Sequence, residues 1–249
     1  MNARNLSFRT SSFLGLTIGI FMLMTLAPPS AHAVNLLVYY NFNQGTITFP
    51  QLSVAPGGQL GVPLNNVNFP PGNLQALTTG GTTVNQATGD ASGAGGVLDA
   101  RGNDNTTGGA FCFVIGNFST AGQTNINLSF ALMSAGTGGF NQINLEYSTN
   151  GTTFTNFATI SNIVGNFAAF TTQGAFPLPA GASNQPTLYI EFCFSGVKNN
   201  DTHNNTFIDN IQITGVPEPG TLIGGMFGVL GLCWFQRPWI VRLLRLGRA

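Results

Sequence analysis

Two glutamates in the middle of the chain are of the type that acid–base chemistry needs. Glu146 and Glu191 each lie in an alternating apolar and polar run, on the side opposite the apolar residues. Hydrolysis of a glycosidic bond needs two carboxylates that flank the substrate. A glutamate on the polar side of a strand is usually only solvated, and sequence spacing does not give the separation in space. We therefore predict no catalytic residue and keep a secreted polysaccharide hydrolase as the alternative.

Histidine and zinc chemistry are disfavoured. Beyond residue 33 the chain has one histidine, His203, in a polar segment rich in turn-forming residues. No G-x-S-x-G motif accompanies it, so a serine nucleophile lacks its usual setting. No His/Cys cluster has the spacing of zinc ligands. We interpret His203 as a loop residue.

The cysteines leave two alternatives open. Cys112 and Cys193 each lie in a strand-like run flanked by phenylalanine, whereas Cys233 falls in an apolar run near the C-terminus. In an oxidising compartment the first two could form a disulfide. Free cysteine is also often simply buried. The sequence favours neither alternative.

Carbohydrate recognition would need exposed aromatic rings beside amides and carboxylates. Both tryptophans, Trp234 and Trp239, lie near the C-terminus, and phenylalanine at alternating positions indicates core. The tyrosines of the middle region are the remaining candidates, and no spacing selects one of them: Tyr39, Tyr40, Tyr147 and Tyr189.

The distribution of charge argues against a nucleic-acid partner. Between residues 34 and 215 the only basic residues are Arg101 and Lys198, against seven acidic ones, which gives a formal charge of −5. Binding to a phosphate backbone requires clustered lysine and arginine. Asn, Thr, Ser, Gln and Gly supply the polar surface instead, as is common in secreted β-proteins.

The middle region reads as strands separated by turns. Residues 142–148, 188–194 and 207–213 alternate clearly, and Asn150-Gly151 is a strong hairpin signal before a returning strand at 153–160. No segment outside the termini has a helical period. We predict an all-β fold, an antiparallel, jelly-roll-like β-sandwich over residues 34–215. Further candidate strands are 36–43, 111–115, 126–133 and 166–171.

One long segment departs from this pattern. Residues 72–110 are dominated by Gly, Thr, Asn and Ala. We predict long loops there, with a short edge strand near Gly96 to Leu98. Loops of this length in a compact domain are commonly functional or disordered.

The alternating strands, the Asn-Gly hairpin and the closing run Ile208-Asp209-Asn210-Ile211-Gln212-Ile213 resemble galactose-binding-like jelly rolls. The resemblance implies extracellular or carbohydrate-binding roles by fold analogy. It also implies a structural calcium near the first and last strands, for which Asn41, Asn43 and Asp209 are the candidate ligands. Asp99, Asn103 and Asp104 form a second acidic segment. We predict no required cofactor, and the alternative to this structural calcium is that Asp209 caps a turn or faces solvent.

The first 33 residues have the organisation of a signal peptide. Arg4 and Arg9 precede an apolar stretch from Phe13 to Leu26, and Ala31 and Ala33 form an A-x-A cleavage site. We predict an N-terminal signal-peptide helix that is removed after export. The alternative is an uncleaved anchor, for which the apolar stretch is short.

The C-terminus combines a short motif, an apolar run and basic residues. Val216-Pro217-Glu218-Pro219-Gly220 precedes a predicted transmembrane helix at about 221–236. The basic tail, 237–249, contains Arg237, Arg242, Arg245 and Arg248. These arginines should stay cytoplasmic by the positive-inside rule, which places the preceding domain across the membrane. The signal peptide requires the same topology.

This C-terminal combination resembles the PEP-CTERM sorting signal of Gram-negative bacteria, with Pro217, Glu218 and Pro219 as the motif. The resemblance covers residues 216–249 and implies processing by a membrane enzyme, an exosortase. A plain C-terminal anchor is the alternative. We predict a protein anchored in the inner membrane as an intermediate, with its domain in the periplasm, and then displayed on the cell surface or in the extracellular matrix.

The sequence thus predicts a non-enzymatic envelope or matrix protein whose sandwich serves adhesion, matrix structure or polysaccharide contact. A hydrolase and a permanently anchored periplasmic binding module are the alternatives.

Overall fold

The protein is described by a computed structural model that covers residues 34–43, 51–52, 62–90, 93–102, 110–134, 139–198, 205–218 and 231, with the backbone alone at 51–52 and 197–198. The predicted signal peptide, Pro219, Gly220, the predicted transmembrane helix apart from residue 231, and the arginine tail lie outside these ranges, as do Asn103, Asp104 and His203. No helix in the described residues is long and apolar enough to cross a membrane.

The described chain forms twelve strands and one short 3₁₀ turn at Ala180–Ala182. The strands are β1 Asn35–Tyr40, β2 Gln51–Leu52, β3 Pro63–Asn66, β4 Leu74–Leu77, β5 Val97–Arg101, β6 Phe111–Phe118, β7 Gln123–Ser134, β8 Gly139–Ser148, β9 Thr155–Ser161, β10 Thr171–Pro177, β11 Leu188–Lys198 and β12 Asn205–Pro217.

These strands form two six-stranded antiparallel sheets. Sheet I has the order β10-β7-β12-β5-β4, and β1 also pairs with β12. Sheet II has the order β2-β3-β6-β11-β8-β9. From β9 to β12 the chain changes sheet at every connection. The predicted all-β antiparallel sandwich is confirmed.

Phenylalanine fills the space between the sheets. The rings of Phe113 and Phe192 stack on neighbouring strands of sheet II, with their centroids 4.7 Å apart. Phe130 on β7 of sheet I meets Phe192 edge-to-face at 5.2 Å, so this contact spans the sandwich. All three rings are fully buried. Burial of each ring contributes about 1.5–3 kcal/mol, which makes the inward face of each strand the main source of stability.

The Asn-Gly hairpin is confirmed between β8 and β9. Gly151 takes a positive φ of +73°, which favours glycine. The connection is longer than a two-residue turn, and side chains hold it. The Ser148 hydroxyl accepts the N–H of Asn150 and of Gly151. The Asn150 side chain in turn accepts the N–H of Thr152 and of Thr153.

The predicted strand at 166–171 is wrong. The chain turns there, with Gly165 at a φ of +84°, and β10 begins only at Thr171. Phe167 fits the alternating pattern of a strand, but it packs on the core from a turn. Its carbonyl accepts the N–H of Ser134 there.

The segment 72–110 holds more structure than its composition predicts. β4 was missed altogether, and the strand expected near Gly96–Leu98 is β5. β5 is also not an edge strand, because it lies between β12 and β4. Between β4 and β5, residues 78–90 cross the outer face of sheet I; we call these residues the strap.

A bulge in β12 shapes the surface beneath the strap. Asn210 has a φ of +48°, and the pairing with β7 shifts between Asp209 and Gln212. The extra residue turns Asp209 and Gln212 to the same outer face while Ile208 and Ile211 stay in the core.

The last strand extends into the predicted sorting motif. Val216 and Pro217 pair with Thr124 and Gln123 of β7. The N–H of Glu218 donates to the carbonyl of Gly122 at 2.9 Å. β12 therefore continues to Pro217.

Candidate functional site

The outer face of sheet II is polar along β11, β8 and β9. Alternation sends Phe192 and Leu145 inward, so that Glu191 and Glu146 point outward. The predicted position of both glutamates opposite their apolar neighbours is confirmed. We call this outer surface of sheet II the polar face.

Glu146 and Glu191 are directly opposite each other. They are register partners on β8 and β11, and directly opposed residues have their Cβ atoms about 4.5–5.5 Å apart. Glu191 is only 8% exposed. Burial, and then the negative charge of Glu146, raise the pKa of the Glu191 carboxyl. The polar face thus contains a closely spaced pair of like-charged groups.

A disulfide adjoins this pair. Cys112 on β6 and Cys193 on β11 are register partners, and their sulfurs are 2.03 Å apart. Both residues are buried, and both sulfurs lie within 4.8 Å of a Glu191 carboxylate oxygen. Sulfurs joined in a disulfide are not thiolates, so these residues do not present a metal site in this state.

Amides and hydroxyls line the other side of the glutamates. Asn144 Oδ1 accepts hydrogen bonds of 3.0 Å from Gln142 Nε2 and from Thr159 Oγ1. Asn156, which is the register partner of Glu146 on β9, donates a longer bond of 3.4 Å to Thr159. Both β9 residues are exposed. The polar face therefore offers solvent-facing donors and acceptors at fixed positions.

Tyr189 lies at one end of this face. Its register partner on β6 is Gly116, and a Cβ at that position would lie 2.9 Å from Cε1 of the ring. A Cβ at Gly151 would lie 2.9 Å from Cζ. The two glycines thus let the ring rest against the backbone, while part of the residue remains exposed.

The other tyrosines do not face a ligand-binding surface. Tyr39 and Tyr40 are fully buried, and burial raises the pKa of both hydroxyls. Tyr147 points inward and packs edge-to-face on Phe157 at 6.2 Å. Among the four tyrosine candidates the structure selects Tyr189.

The candidate calcium ligands lie elsewhere, around the strap. Both carboxylate oxygens of Asp209 accept backbone N–H groups at 2.7 Å, one from Thr82 and one from Asn210. Asn43 Oδ1 accepts the N–H of Gly96 at 2.6 Å. The Asn41 side chain donates to Asp90 Oδ2 at 3.0 Å.

These contacts do not make a cage for calcium. Calcium takes about six to eight oxygen ligands, whereas the oxygens of Asp209 and Asn43 are already approached by N–H groups that would oppose a cation. Burial raises the pKa of Asp209 to about 7, which favours its neutral form further. The side chains of Asn41, Asn43 and Asp209 are therefore better placed to anchor the strap than to bind a metal ion.

The strap is held by hydrogen bonds to β1 and β12. Asn210 Nδ2 donates to the carbonyls of Thr82 and Val84, and the Asn210 carbonyl accepts Asn85 Nδ2 at 2.8 Å. The Tyr39 hydroxyl lies 2.8 Å from both Asp90 Oδ2 and Asn210 Oδ1. The sequence did not identify Tyr39 and Asn85 as partners of Asn210, or Asp90 as a partner of Tyr39, since these residues are far apart in the chain.

Of the second acidic segment, the structure describes only Asp99. Its carboxylate accepts Arg101 Nε at 2.7 Å and Asn205 Nδ2 at 3.1 Å. Burial raises the Asp99 pKa and Arg101 lowers it. These contacts belong to the pairing of β5 with β12.

The alternation of 142–148 and 188–194 was sufficient to predict which residues point outward. It could not predict that β8 and β11 are neighbours, and so it missed the joint surface of Asn144, Glu146, Tyr189 and Glu191. Gly116 and Gly151 gave a usable signal, because glycine inside a strand pattern often marks close approach of another group.

No protein-family model matches the chain, and no curated protein matches it. Solved structures do match it. One is the CBM22-1 xylan-binding domain from Paenibacillus barcinonensis Xyn10C, at 10% identity and a TM-score of 0.43, over 76% of this chain and 99% of that one.

Two further matches have other functions in their names. The cleaved adhesin domain of Lys-gingipain from Porphyromonas gingivalis is 10% identical with a TM-score of 0.44, over 73% of this chain and 97% of that one. A Stig cyclase from Fischerella sp. is 13% identical with a TM-score of 0.36, over 74% and 100%. Similarity at this level assigns neither a family nor an activity.

Proposed function

We propose that this protein is an exported bacterial envelope or matrix protein whose β-sandwich contacts polysaccharide through the polar face of sheet II. The observation that carries the proposal is the surface itself: amide, hydroxyl and carboxylate groups from three adjacent strands, with the Tyr189 ring fixed at one end. Saccharides present hydroxyl donors and acceptors together with apolar C–H surfaces, and such a surface can satisfy both.

The rigidity of this surface supports binding. Asn144 is held by hydrogen bonds from Gln142 and Thr159, and the Cys112–Cys193 disulfide ties β6 to β11 beside Glu191. Side chains that are already fixed lose little conformational entropy when a ligand binds. Binding of a flexible polymer then depends on the ordering of the polymer rather than of the protein.

Export and sorting are proposed from the termini. The signal peptide at 1–33 and the PEP-CTERM-like segment at 216–249 carry this part of the proposal. We propose that an exosortase recognises Pro217, Glu218 and Pro219, and that the inner membrane holds the chain through the segment at 221–236 until then.

A glycan-binding screen on the full-length protein in detergent tests the polysaccharide proposal, with and without calcium. Asn144→Ala should weaken binding at least fivefold, because it removes the side-chain oxygen that accepts hydrogen bonds from both Gln142 and Thr159. Asn127→Ala, on the outer face of sheet I, is the matched control and should bind like the wild type. Absence of binding to any glycan in both conditions would refute polysaccharide contact.

Intact mass of the mature protein, from strains with and without the exosortase, tests sorting. A mature species that retains Trp234 and Trp239 in both strains would remove the processing step. The remaining candidate would then be a permanently anchored periplasmic module.

One observation favours a hydrolase as a second candidate. Retaining glycosidases hold their two carboxyl groups about 5–5.5 Å apart, and their general acid needs a raised pKa. The opposed Glu146 and Glu191 are compatible with that spacing, and the Glu191 pKa is raised. Release of reducing ends from a bound glycan, lost in Glu191→Gln while binding persists, would establish the hydrolase. Unchanged binding without any release would exclude it for that glycan.

A further inference from the structure

We propose that Glu146 and Glu191 make the polar face selective for a saccharide that carries a free ammonium group, as in a polymer of de-N-acetylated amino sugars. This inference rests on the proposed polysaccharide contact and specifies its ligand.

The carboxylates of Glu146 and Glu191 lie side by side, and no basic side chain of the described residues forms an ion pair with them. Within the described residues the Glu191 carboxylate makes no hydrogen bond and no ion pair, although Glu191 is only 8% exposed. Arg101 is engaged with Asp99 on sheet I. Lys198 lies further along β11, about 23 Å from Glu191 at ~3.3 Å per residue. The charge of the pair is therefore uncompensated by any described side chain.

Such a pair has a cost in the absence of a ligand. Like charges directly opposite each other destabilise a sheet. Burial of Glu191 and the negative charge of Glu146 both raise the Glu191 pKa, so the pair resists full ionisation. A ligand that brings positive charge reduces this repulsion.

An ammonium group meets these requirements better than a hydroxyl. It carries three donors and a full charge, so it can bond to both carboxylates and offset one of their two negative charges. A hydroxyl supplies one donor and leaves the charge in place. The neutral groups beside the pair, Asn144 and Thr159, remain available for the hydroxyls of the same or the next sugar ring.

A divalent metal is less well served by the same residues. Calcium needs about six to eight oxygens, and the two glutamates supply at most four. The other nearby group is the Cys112–Cys193 disulfide, which offers no oxygen and no thiolate.

Calorimetric titration of the full-length protein in detergent tests the inference. The probes are a glucosamine hexamer and an N-acetylglucosamine hexamer, in a mildly acidic buffer in which the amino groups of the glucosamine hexamer are protonated. We expect the glucosamine hexamer to bind at least tenfold more tightly, with a preference that shrinks as salt is added. Glu146→Gln and Glu191→Gln should each reduce the preference to about twofold or less, since one carboxylate of the pair is lost.

Asp201→Asn is the matched control, because it removes an equal charge in the connection between β11 and β12; it should keep the tenfold preference. Equal binding of both hexamers by the wild type would overturn the inference and leave polysaccharide contact intact. Binding of neither hexamer, when the glycan screen finds no other ligand, would overturn the proposed function as well. Calcium binding to the protein alone that is lost in Glu191→Gln would overturn the ammonium assignment in favour of a metal site.

Discussion

The carboxylate Oδ2 of Asp209 accepts a hydrogen bond of 2.7 Å from the backbone N–H of Thr82. This bond connects the bulge of β12 to the strap, and Asp209 is 1% exposed there. Burial is the main cause that raises the pKa of Asp209 to about 7; the N–H groups of Thr82 and Asn210 lower the pKa, and Asp90 raises it. The strap is therefore fastened by a group that titrates near neutral pH.

We predict that Asp209 makes the protein less stable as pH rises from about 4 to about 7. The folded protein binds this proton more tightly than the unfolded chain, whose carboxyl has the ordinary pKa of 3.8. The stabilisation is complete below the unfolded pKa and is lost as pH rises through the folded one. One pKa unit corresponds to ~1.4 kcal/mol, so the effect amounts to a few kcal/mol.

Urea unfolding of the wild type and of Asp209→Asn, measured from pH 4 to pH 8, checks this prediction. The variant cannot titrate at this position, so the difference between the two curves isolates Asp209 from the other acids. A difference that stays constant with pH would contradict it.

Reduction of the disulfide should destabilise the sandwich by about 2–4 kcal/mol. Cys112 and Cys193 are 81 residues apart, so the bond closes a long loop in the unfolded chain. The measurement is the urea midpoint of the wild type and of a Cys112→Ser, Cys193→Ser double variant, each with and without reductant. Cys233→Ser is the control and should retain the wild-type response to reductant. A double variant as stable as the oxidised wild type would refute the prediction.

Fragments that end at Gly215 and at Glu218 should differ in stability. The shorter one loses the pairing of Val216 and Pro217 with β7 and the bond from the Glu218 N–H to Gly122. At ~1 kcal/mol per net hydrogen bond, we expect a Tm lower by about 3–6 °C. Differential scanning calorimetry measures this, and equal Tm values would show that the end of β12 contributes nothing.

Gly116→Ala should displace the Tyr189 ring and cost about 1–3 kcal/mol, because the new methyl group needs the space that the ring occupies. It should also weaken glycan binding. The matched test is the same substitution in a Tyr189→Ala background, where the ring is absent and most of the cost should vanish. An equal cost in both backgrounds would mean that the two side chains do not compete.

Removal of calcium should leave thermal stability unchanged, because N–H groups approach the oxygens of Asp209 and Asn43. Scanning calorimetry in calcium and in EDTA provides the check. A Tm that falls by several degrees in EDTA would restore the calcium predicted from the jelly-roll resemblance.

The sequence predicted which way side chains point better than it predicted which residues they lie next to on neighbouring strands. Alternation correctly sent Glu146 and Glu191 outward, because a strand has a fixed period of two. Their opposition, like that of Cys112 and Cys193, depends on which strands pair across a sheet, and pairing between distant segments leaves no local pattern.

Irregular backbone was the other obstacle. Asp209 and Asn210 place two polar residues between Ile208 and Ile211, which a regular strand cannot orient correctly. Asn tolerates the left-handed region and so permits the bulge. Phe167 shows the opposite problem, since an apolar residue in a turn can pack on the core and imitate a strand.

The position of β12 sets the order in which the domain can be completed. β12 is the last of the described strands, yet it lies inside sheet I, where it pairs with β1, β5 and β7. Leu36 meets Thr214, almost the whole domain apart in sequence. A chain that emerges from a ribosome or a translocation pore with its N-terminus first cannot close this sheet until residue 217 has emerged. Until then sheet I stays incomplete, and the emergence of β12 becomes the event that permits its closure.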